Sequence, residues 1–196
     1  MISVKKVQAD INSLPKDYKT ADVDRLIAKY VKAGENLSPL REYVLDKQQF
    51  HRIYFHGSLK QIKEPNDRFM WLDENLLFTD WWHTDENIVF VKGVDFKLAY
   101  KYAKKYVKDK DPFIRRWGYV MFISRYFCSS KDVCEKLFLL MHNDDEYYVQ
   151  MAEAWLLCEI AICFPDEVYK FLESTSLKYN ITGKALKDLT LIARSL

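Results

Sequence analysis

The sequence predicts an all-α protein in which helical hairpins repeat to form a right-handed α–α superhelix. Three observations predict this fold class. Glycine and proline occur only five times each in 196 residues, which is too few for the turns of a many-stranded sheet. Apolar residues recur at helical spacing along most of the chain. The C-terminal half contains two similar segments, each of about 35 to 40 residues and each pairing two helices.

The first 42 residues are predicted to form an N-terminal helical cap on a single domain that spans residues 1–196. Apolar residues follow a helical pattern between positions 23 and 31, and Gly34 is placed to end that helix. Ser38 and Pro39 have the residue types of an N-cap and a first helical position. The sequence therefore predicts that the next helix begins at Ser38.

The middle of the chain gives two further apolar-periodic segments, at residues 67–82 and 83–93, the second ending near Gly93. Asp95 is placed to cap the helix that follows, in "DFKLAYKYAKKYVKDKD".

The repeat becomes visible after residue 110. Residues 111–127 form an acidic turn and an apolar helix, and residues 129–142 a turn and an amphipathic helix; residues 144–164 and 165–174 repeat that order. Ile114 matches Val149 at an offset of 35, and Lys136 matches Lys170 at an offset of 34. Helix–turn–helix units of this length are typical of HEAT-like solenoids. Residues 181–196 are predicted to form a capping helix.

Composition and charge narrow the function classes. The net charge is only +2, but residues 97–125 carry nine Lys/Arg against two acids, and residues 131–173 carry three against ten. The four cysteines lack CxxC spacing and have no histidine at ligand distance, so we expect no metal and no cofactor. No signal peptide and no membrane span are predicted. We therefore expect a cytoplasmic monomer.

The repeat length brings four distant side chains into register. Adding 34 to Trp82 gives Arg116, and adding 35 more and one helical turn gives Trp155. Glu86 lies one turn after Trp82. Two aromatic faces, a carboxylate and a guanidinium on one surface would suit a flat cationic ligand, because aromatic faces attract cations and a carboxylate stabilises developing positive charge.

Other interpretations of these residues stay open. Indoles commonly pack between helices, Arg116 is equally suited to a salt bridge, and Glu86 to a surface position. A stripe of lysines follows on the next helix, with Arg115 and Arg116 after it, and predicts a phosphate-binding patch. A solvated face is the competing interpretation. The stripe residues predicted to contact DNA are Lys101, Lys104, Lys105 and Lys108.

At these residues the sequence resembles the DNA alkylation repair family, the HEAT-like DNA glycosylases of the AlkD type. "DWWHTDENIV" resembles the family's W-W-D-x-V-D segment, and "DPFIRRWGYVMF" its W-[IV]-R-R helix start. "YYVQMAEAWLLCEIA" resembles its F-[IV]-Q-K-A-[IL]-G-W-x-L-R-E helix. The similarity covers roughly residues 43–196.

The resemblance implies a groove for duplex DNA and removal of positively charged alkylated purines. It assigns Trp82 and Trp155 as the aromatic pair, Glu86 as the acid and Arg116 as the phosphate contact. Four positions depart from the family pattern: Glu86 stands for an aspartate, Cys158 for an arginine and Ala154 for a glycine, and Glu153 adds a charge beside the groove helix.

Two functions are consistent with the sequence. The first is a glycosylase that releases N3- or N7-alkylated purines from duplex DNA. The second is a non-catalytic HEAT-like scaffold that binds a protein or a nucleic-acid structure, which the substitutions at Cys158 and Glu153 favour.

Overall fold

The computed structural model describes residues 2–123 and 130–177. Ten α-helices and two short 3₁₀ helices make up the described residues, and no strand occurs among them. These residues group into two compact units, one up to Asn75 and one from Leu76 onward. The all-α prediction is confirmed.

The first unit consists of α1, α2, a 3₁₀ helix, α3 and α4, in that order. Their bounds are Val4–Asn12, Thr20–Lys32, Ser38–Tyr43, Gln48–Gln61 and Pro65–Glu74.

The core of the first unit lies mainly between α2 and α3. Ile27 of α2 and Phe55 of α3 are fully buried. Gly34 follows α2 with a φ of 63°, the left-handed conformation that ends a helix and that glycine adopts without strain, as predicted.

The helix predicted to begin at Ser38 is interrupted. A 3₁₀ helix spans Ser38–Tyr43, and α3 begins only at Gln48 because Lys47 has an extended backbone. The interruption buries Leu40 and Val44 against the unit's core. A continuous α-helix would turn part of this segment outward, so tertiary packing overrides the local helical pattern.

The second unit consists of α5, a 3₁₀ helix and α6 to α10. Their bounds are Trp81–Asp85, Ile88–Phe90, Phe96–Tyr106, Pro112–Val120, Lys131–Phe138, Tyr147–Cys163 and Pro165–Ser174, in that order.

Helix α7 is the centre of the second unit, since it packs against α5, α6 and α9. Its Trp117 is fully buried, with the ring centroid 5.8 Å from that of Phe78. Gly118 lies so close to α6 that an added Cβ would be 2.8 Å from a methyl carbon of Val107. Absence of a side chain at Gly118 therefore permits the close approach of α6 and α7.

Side-chain caps set where several of these helices begin. Asp95 accepts a hydrogen bond from the Leu98 backbone N–H, as predicted, and Asp111 accepts one from Phe113 at the start of α7. Ser130 does the same for α8, and Asp80 accepts from Trp81 at the start of α5. Each cap fixes the rotation at which the following helix presents its side chains.

Helix α9 is the longest described helix and is apolar on nearly every side. Ten of its 17 residues are buried, because α7 and α10 both pack against it. This agrees with the prediction that the apolar helix of each repeat is the buried one. The predicted capping helix at 181–196 lies outside the described residues, and the single HEAT-like domain stays a prediction.

Candidate functional site

A cavity of about 320 Å³ opens within the second unit. Among the described residues, its lining comes from α5, α7 and α9. The lining residues are Trp81, Asp85, Arg116, Tyr147, Tyr148, Met151 and Trp155.

An ion pair between α5 and α7 forms one wall of this cavity. Arg116 Nη2 lies 2.8 Å from Asp85 Oδ1 and 2.9 Å from Oδ2, and Arg116 Nε lies 3.1 Å from Oδ1. The Arg116 side chain is 5% exposed and the Asp85 side chain 19%. A charge-assisted pair with several hydrogen bonds, shielded from water, holds the carboxylate in a fixed orientation.

Arg116 also connects the ion pair to α9. Its Nη1 donates to the Tyr148 backbone carbonyl at 2.6 Å, and its Nε donates to the Thr84 hydroxyl at 3.0 Å. The guanidinium thereby joins the three helices that line the cavity.

Aromatic rings form the remaining walls. Trp81 is 42% exposed, and Trp155 is half-buried, with its indole Nε1 donating to Glu159 at 3.3 Å. Tyr147 and Tyr148, at the start of α9, are both exposed, and their ring centroids lie 5.4 Å apart. The site therefore combines accessible aromatic faces with one carboxylate whose position is fixed from behind by an arginine.

This arrangement favours a flat, positively charged group. Aromatic faces attract cations electrostatically, and a carboxylate in a partly dehydrated setting stabilises positive charge more strongly than it does in water. Asp85 Oδ1 accepts three hydrogen bonds, but Oδ2 accepts only one from the described residues. Oδ2 thus retains acceptor capacity toward a ligand or a water molecule.

Comparison with known protein families agrees with the resemblance found in the sequence. The family model described as DNA alkylation repair enzyme matches residues 19–191, most of the chain. The chain belongs to the DNA alkylation repair family. No curated protein matches the sequence.

The described lining of this cavity differs by one residue of α5 from the site predicted from the sequence. Trp81 and Asp85 line the cavity, whereas Trp82 and Glu86 are not among the described lining residues. Trp82 is half-buried, with its ring centroid 3.7 Å from that of His83. One residue rotates a side chain by about 100° around a helix, so Trp82 and Glu86 point in a different direction from Trp81 and Asp85. The predicted catalytic roles of Trp82 and Glu86 stay predictions.

Arg116 and Trp155 do share one surface, as the repeat arithmetic predicts. Arg116, however, does not offer an open fork to a phosphate, since Asp85, Thr84 and Tyr148 engage its nitrogens. The observed contacts of Arg116 hold the Asp85 carboxylate in position. Its predicted contact with DNA stays a prediction.

Arg115 is engaged in a second, separate ion pair. Its Nε and Nη2 lie 2.6 Å and 3.1 Å from the Asp144 carboxylate oxygens, and its Nη1 donates to the carbonyls of Asp109 and Lys110. Burial disfavours ionisation of Asp144, but the hydrogen bonds from Arg115 and from the Glu146 backbone N–H, together with the charge of Arg115, outweigh it and hold the Asp144 pKa below its usual range. The predicted phosphate contact of Arg115 conflicts with this internal role.

The four predicted DNA-contacting lysines are all exposed on or just after α6: Lys101, Lys104, Lys105 and Lys108. Lys104 and Lys108 line a second cavity, of about 930 Å³, whose other wall is the segment Leu139–Glu146. That wall carries Asp145 and Glu146, so the cavity presents charges of both signs. The lysines remain candidates for phosphate contacts.

The two substitutions expected to weaken DNA binding lie away from the aromatic cavity. Glu153 is fully buried and Cys158 is 6% exposed, and neither is among the described residues that line the cavity. The expectation that Glu153 places a charge beside the groove is therefore wrong. Two residues along a helix separate Glu153 from Trp155 by about 200°, so their side chains point in nearly opposite directions.

Burial raises the pKa of Glu153 to about 8, although the carboxylate accepts a hydrogen bond from the His142 backbone N–H at 2.9 Å. The Tyr119 hydroxyl donates to the Leu140 carbonyl and lies 2.6 Å from His142 Nδ1. Glu153 thus carries a proton at neutral pH and belongs to a buried polar cluster.

The described residues contain no group of three or more His, Cys, Asp or Glu side chains arranged to hold a metal ion. None of their helices has the length and apolar character needed to span a membrane.

Proposed function

We propose that the chain is a DNA glycosylase that releases positively charged, N3- or N7-alkylated purines from duplex DNA. The observation that carries this proposal is the Asp85 carboxylate, held by Arg116 at the wall of a cavity with two indoles. Membership of the DNA alkylation repair family supports the choice of substrate.

The chemistry of the leaving group fits this cavity. An N3- or N7-alkylated purine is a cation, and it leaves as a neutral base when it takes the electron pair of the glycosidic bond. The reaction therefore needs no proton donor for the base. It needs stabilisation of the positive charge that develops on the sugar, and a water molecule whose oxygen bonds to the anomeric carbon and loses a proton.

In this proposal Asp85 stabilises the cationic sugar, and its Oδ2 positions the water molecule and accepts the proton that the water loses. Trp81 and Trp155 bind the sugar and base through their aromatic faces, which contribute roughly 0.5 to 2 kcal/mol each toward a cation. Arg116 positions Asp85. The lysines of α6 bind the phosphate backbone at a distance from the reacting atoms.

We further propose that the chain folds as a right-handed HEAT-like superhelix and acts as a monomer in the cytoplasm. Packing of α7 between α5 and α9 supports the repeat, because it places equivalent helices side by side. The proposed partner is duplex DNA carrying alkylated bases.

A single-turnover base-release assay on a duplex with one N7-methylguanine tests the function. Asp85→Asn is expected to lower the release rate by roughly 100- to 1000-fold, the usual effect of removing one electrostatic stabiliser. Glu86→Gln is the matched control, since it removes the neighbouring carboxylate, and its rate should stay near that of the natural protein. Release no faster than spontaneous depurination by the natural protein would refute the proposal.

A further inference from the structure

We propose that Thr84 is a positioning residue for this reaction, acting through Asp85 and Trp81. The proposal rests on the glycosylase function proposed above. Thr84 does not line the cavity, and its side chain is fully buried between α5 and α7.

One hydroxyl group contacts three residues of the site. Thr84 Oγ1 lies 2.6 Å from the Trp81 backbone carbonyl, 2.8 Å from Asp85 Oδ1 and 3.0 Å from Arg116 Nε. Trp81, Asp85 and Arg116 all line the cavity. Thr84 is therefore the point at which the Trp81 backbone, the Asp85 carboxylate and the Arg116 guanidinium are joined.

The roles of the hydroxyl follow from what its partners can do. The Nε of arginine only donates, so the threonine oxygen accepts from Arg116. The single hydroxyl proton is then shared between the Trp81 carbonyl and the Asp85 carboxylate, both of which only accept. A hydroxyl bonded to a carboxylate makes a stronger hydrogen bond than one bonded to a neutral carbonyl.

The short length of α5 makes this contact important. The helix has five residues, and a helix of that size has little stability of its own. Trp81 and Asp85 occupy its two ends, so their separation depends on contacts made by the residues between them. Thr84 bonds to the backbone of one and the side chain of the other.

A hydroxyl-free side chain of the same shape would keep the packing and lose these bonds. Arg116 would still form its fork with Asp85, but Nε would lose one of its two acceptors. The carboxylate could then rotate within the fork. Displacement of about 1 Å in a reacting group costs on the order of 100-fold in rate.

The test compares Thr84→Val with Thr84→Ser. Thr84→Val is expected to lower the single-turnover release rate by about 10- to 100-fold, while the Kd for the alkylated duplex stays nearly unchanged. Thr84→Ser keeps the hydroxyl and is expected to restore most of the rate. Urea unfolding of each variant gives the folded fraction, and Thr84→Ala replaces Thr84→Val in the comparison if the valine variant does not fold.

Three outcomes would overturn the positioning role while leaving the glycosylase function intact. They are a valine variant as fast as the natural protein, a serine variant as slow as the valine variant, and a rate loss matched by an equal loss of affinity. Absence of base release by the natural protein would overturn both proposals together.

Discussion

Two consecutive arginines of α7 make nearly the same ion pair in different surroundings. Arg115 binds both carboxylate oxygens of Asp144, and Arg116 binds both of Asp85. The first pair anchors the segment before α9, and its Arg115 also donates hydrogen bonds to the backbone carbonyls of Asp109 and Lys110. The second pair lies among aromatic rings at a cavity wall, with one carboxylate oxygen only partly engaged.

The difference teaches that an arginine–aspartate fork is not itself a sign of function. Both pairs hold two elements together, and both involve side chains with little exposure. Each carboxylate lines a cavity, and what separates the two pairs is the chemistry of the other residues that line it. Asp85 faces a cavity with accessible indoles, whereas Asp144 lies on a wall of mixed charge.

The largest expected effect comes from breaking each pair in turn. Arg115→Gln and Arg116→Gln each leave a poorly exposed carboxylate without its partner, which costs about 3 to 5 kcal/mol of unfolding free energy. Urea unfolding should show a loss of this size for both variants. Base release per folded molecule should fall strongly for Arg116→Gln and stay nearly unchanged for Arg115→Gln. Equal rate losses in the two variants would contradict the distinction drawn between the pairs.

An intermediate effect is expected from the buried carboxyl of α9. Glu153 ionises near pH 4.5 when unfolded but retains its proton to about pH 8 in the folded protein. Between these values the folded state binds the extra proton, so this contribution to stability falls as pH rises, by at most roughly 1.4 kcal/mol per pH unit. Glu153→Gln should therefore gain stability relative to the natural protein from pH 5 to pH 8.

Thermal unfolding across that pH range measures this gain. Glu146→Gln removes one exposed carboxylate from the segment before α9 and controls for the change in net charge. A constant difference in Tm between Glu153→Gln and the natural protein at every pH would contradict a protonated Glu153.

The smallest effect concerns the lysines of α6. If Lys104 and Lys108 bind phosphates, replacing both with glutamine should reduce the slope of log K against log salt concentration by about 1.8 for duplex DNA, roughly 0.9 for each contact. Lys101→Gln with Lys105→Gln is the matched pair on the same helix but away from the second cavity. If the two double variants show equal salt slopes, the lysines that line the second cavity contact phosphates no more than the other two lysines do.

Much of the fold could be predicted from local chemistry. Gly34 ends α2 and Asp95 caps α6 because a left-handed backbone and an unpaired N–H require those residue types. The break between Tyr43 and Gln48 could not be predicted, since it depends on burial of Leu40 and Val44 within the first unit.

The candidate site was predicted in part. Arg116 and Trp155 share the cavity, but the count across helices of unequal length gives Trp82, one residue after the Trp81 that lines it. The residue types at positions 81 and 85 could have indicated the residues that line the cavity. Trp81 and Asp85 have the four-residue spacing and the aspartate of the family pattern, whereas Trp82 and Glu86 required a substitution. Asp80, as an N-cap, also marks Trp81 as the first residue of α5.

Gly118 limits which substitutions α7 can accept without a shift of its neighbours. A Cβ at that position would lie 2.8 Å from a methyl carbon of Val107 and 3.1 Å from its backbone nitrogen, so the contact between α7 and the end of α6 would have to shift. Arg116 is two residues earlier on the same helix, and its nitrogens reach both Thr84 and the Tyr148 carbonyl. A residue with no functional group thus holds α7 close to α6, and from that helix the arginine extends to contacts on α5 and α9.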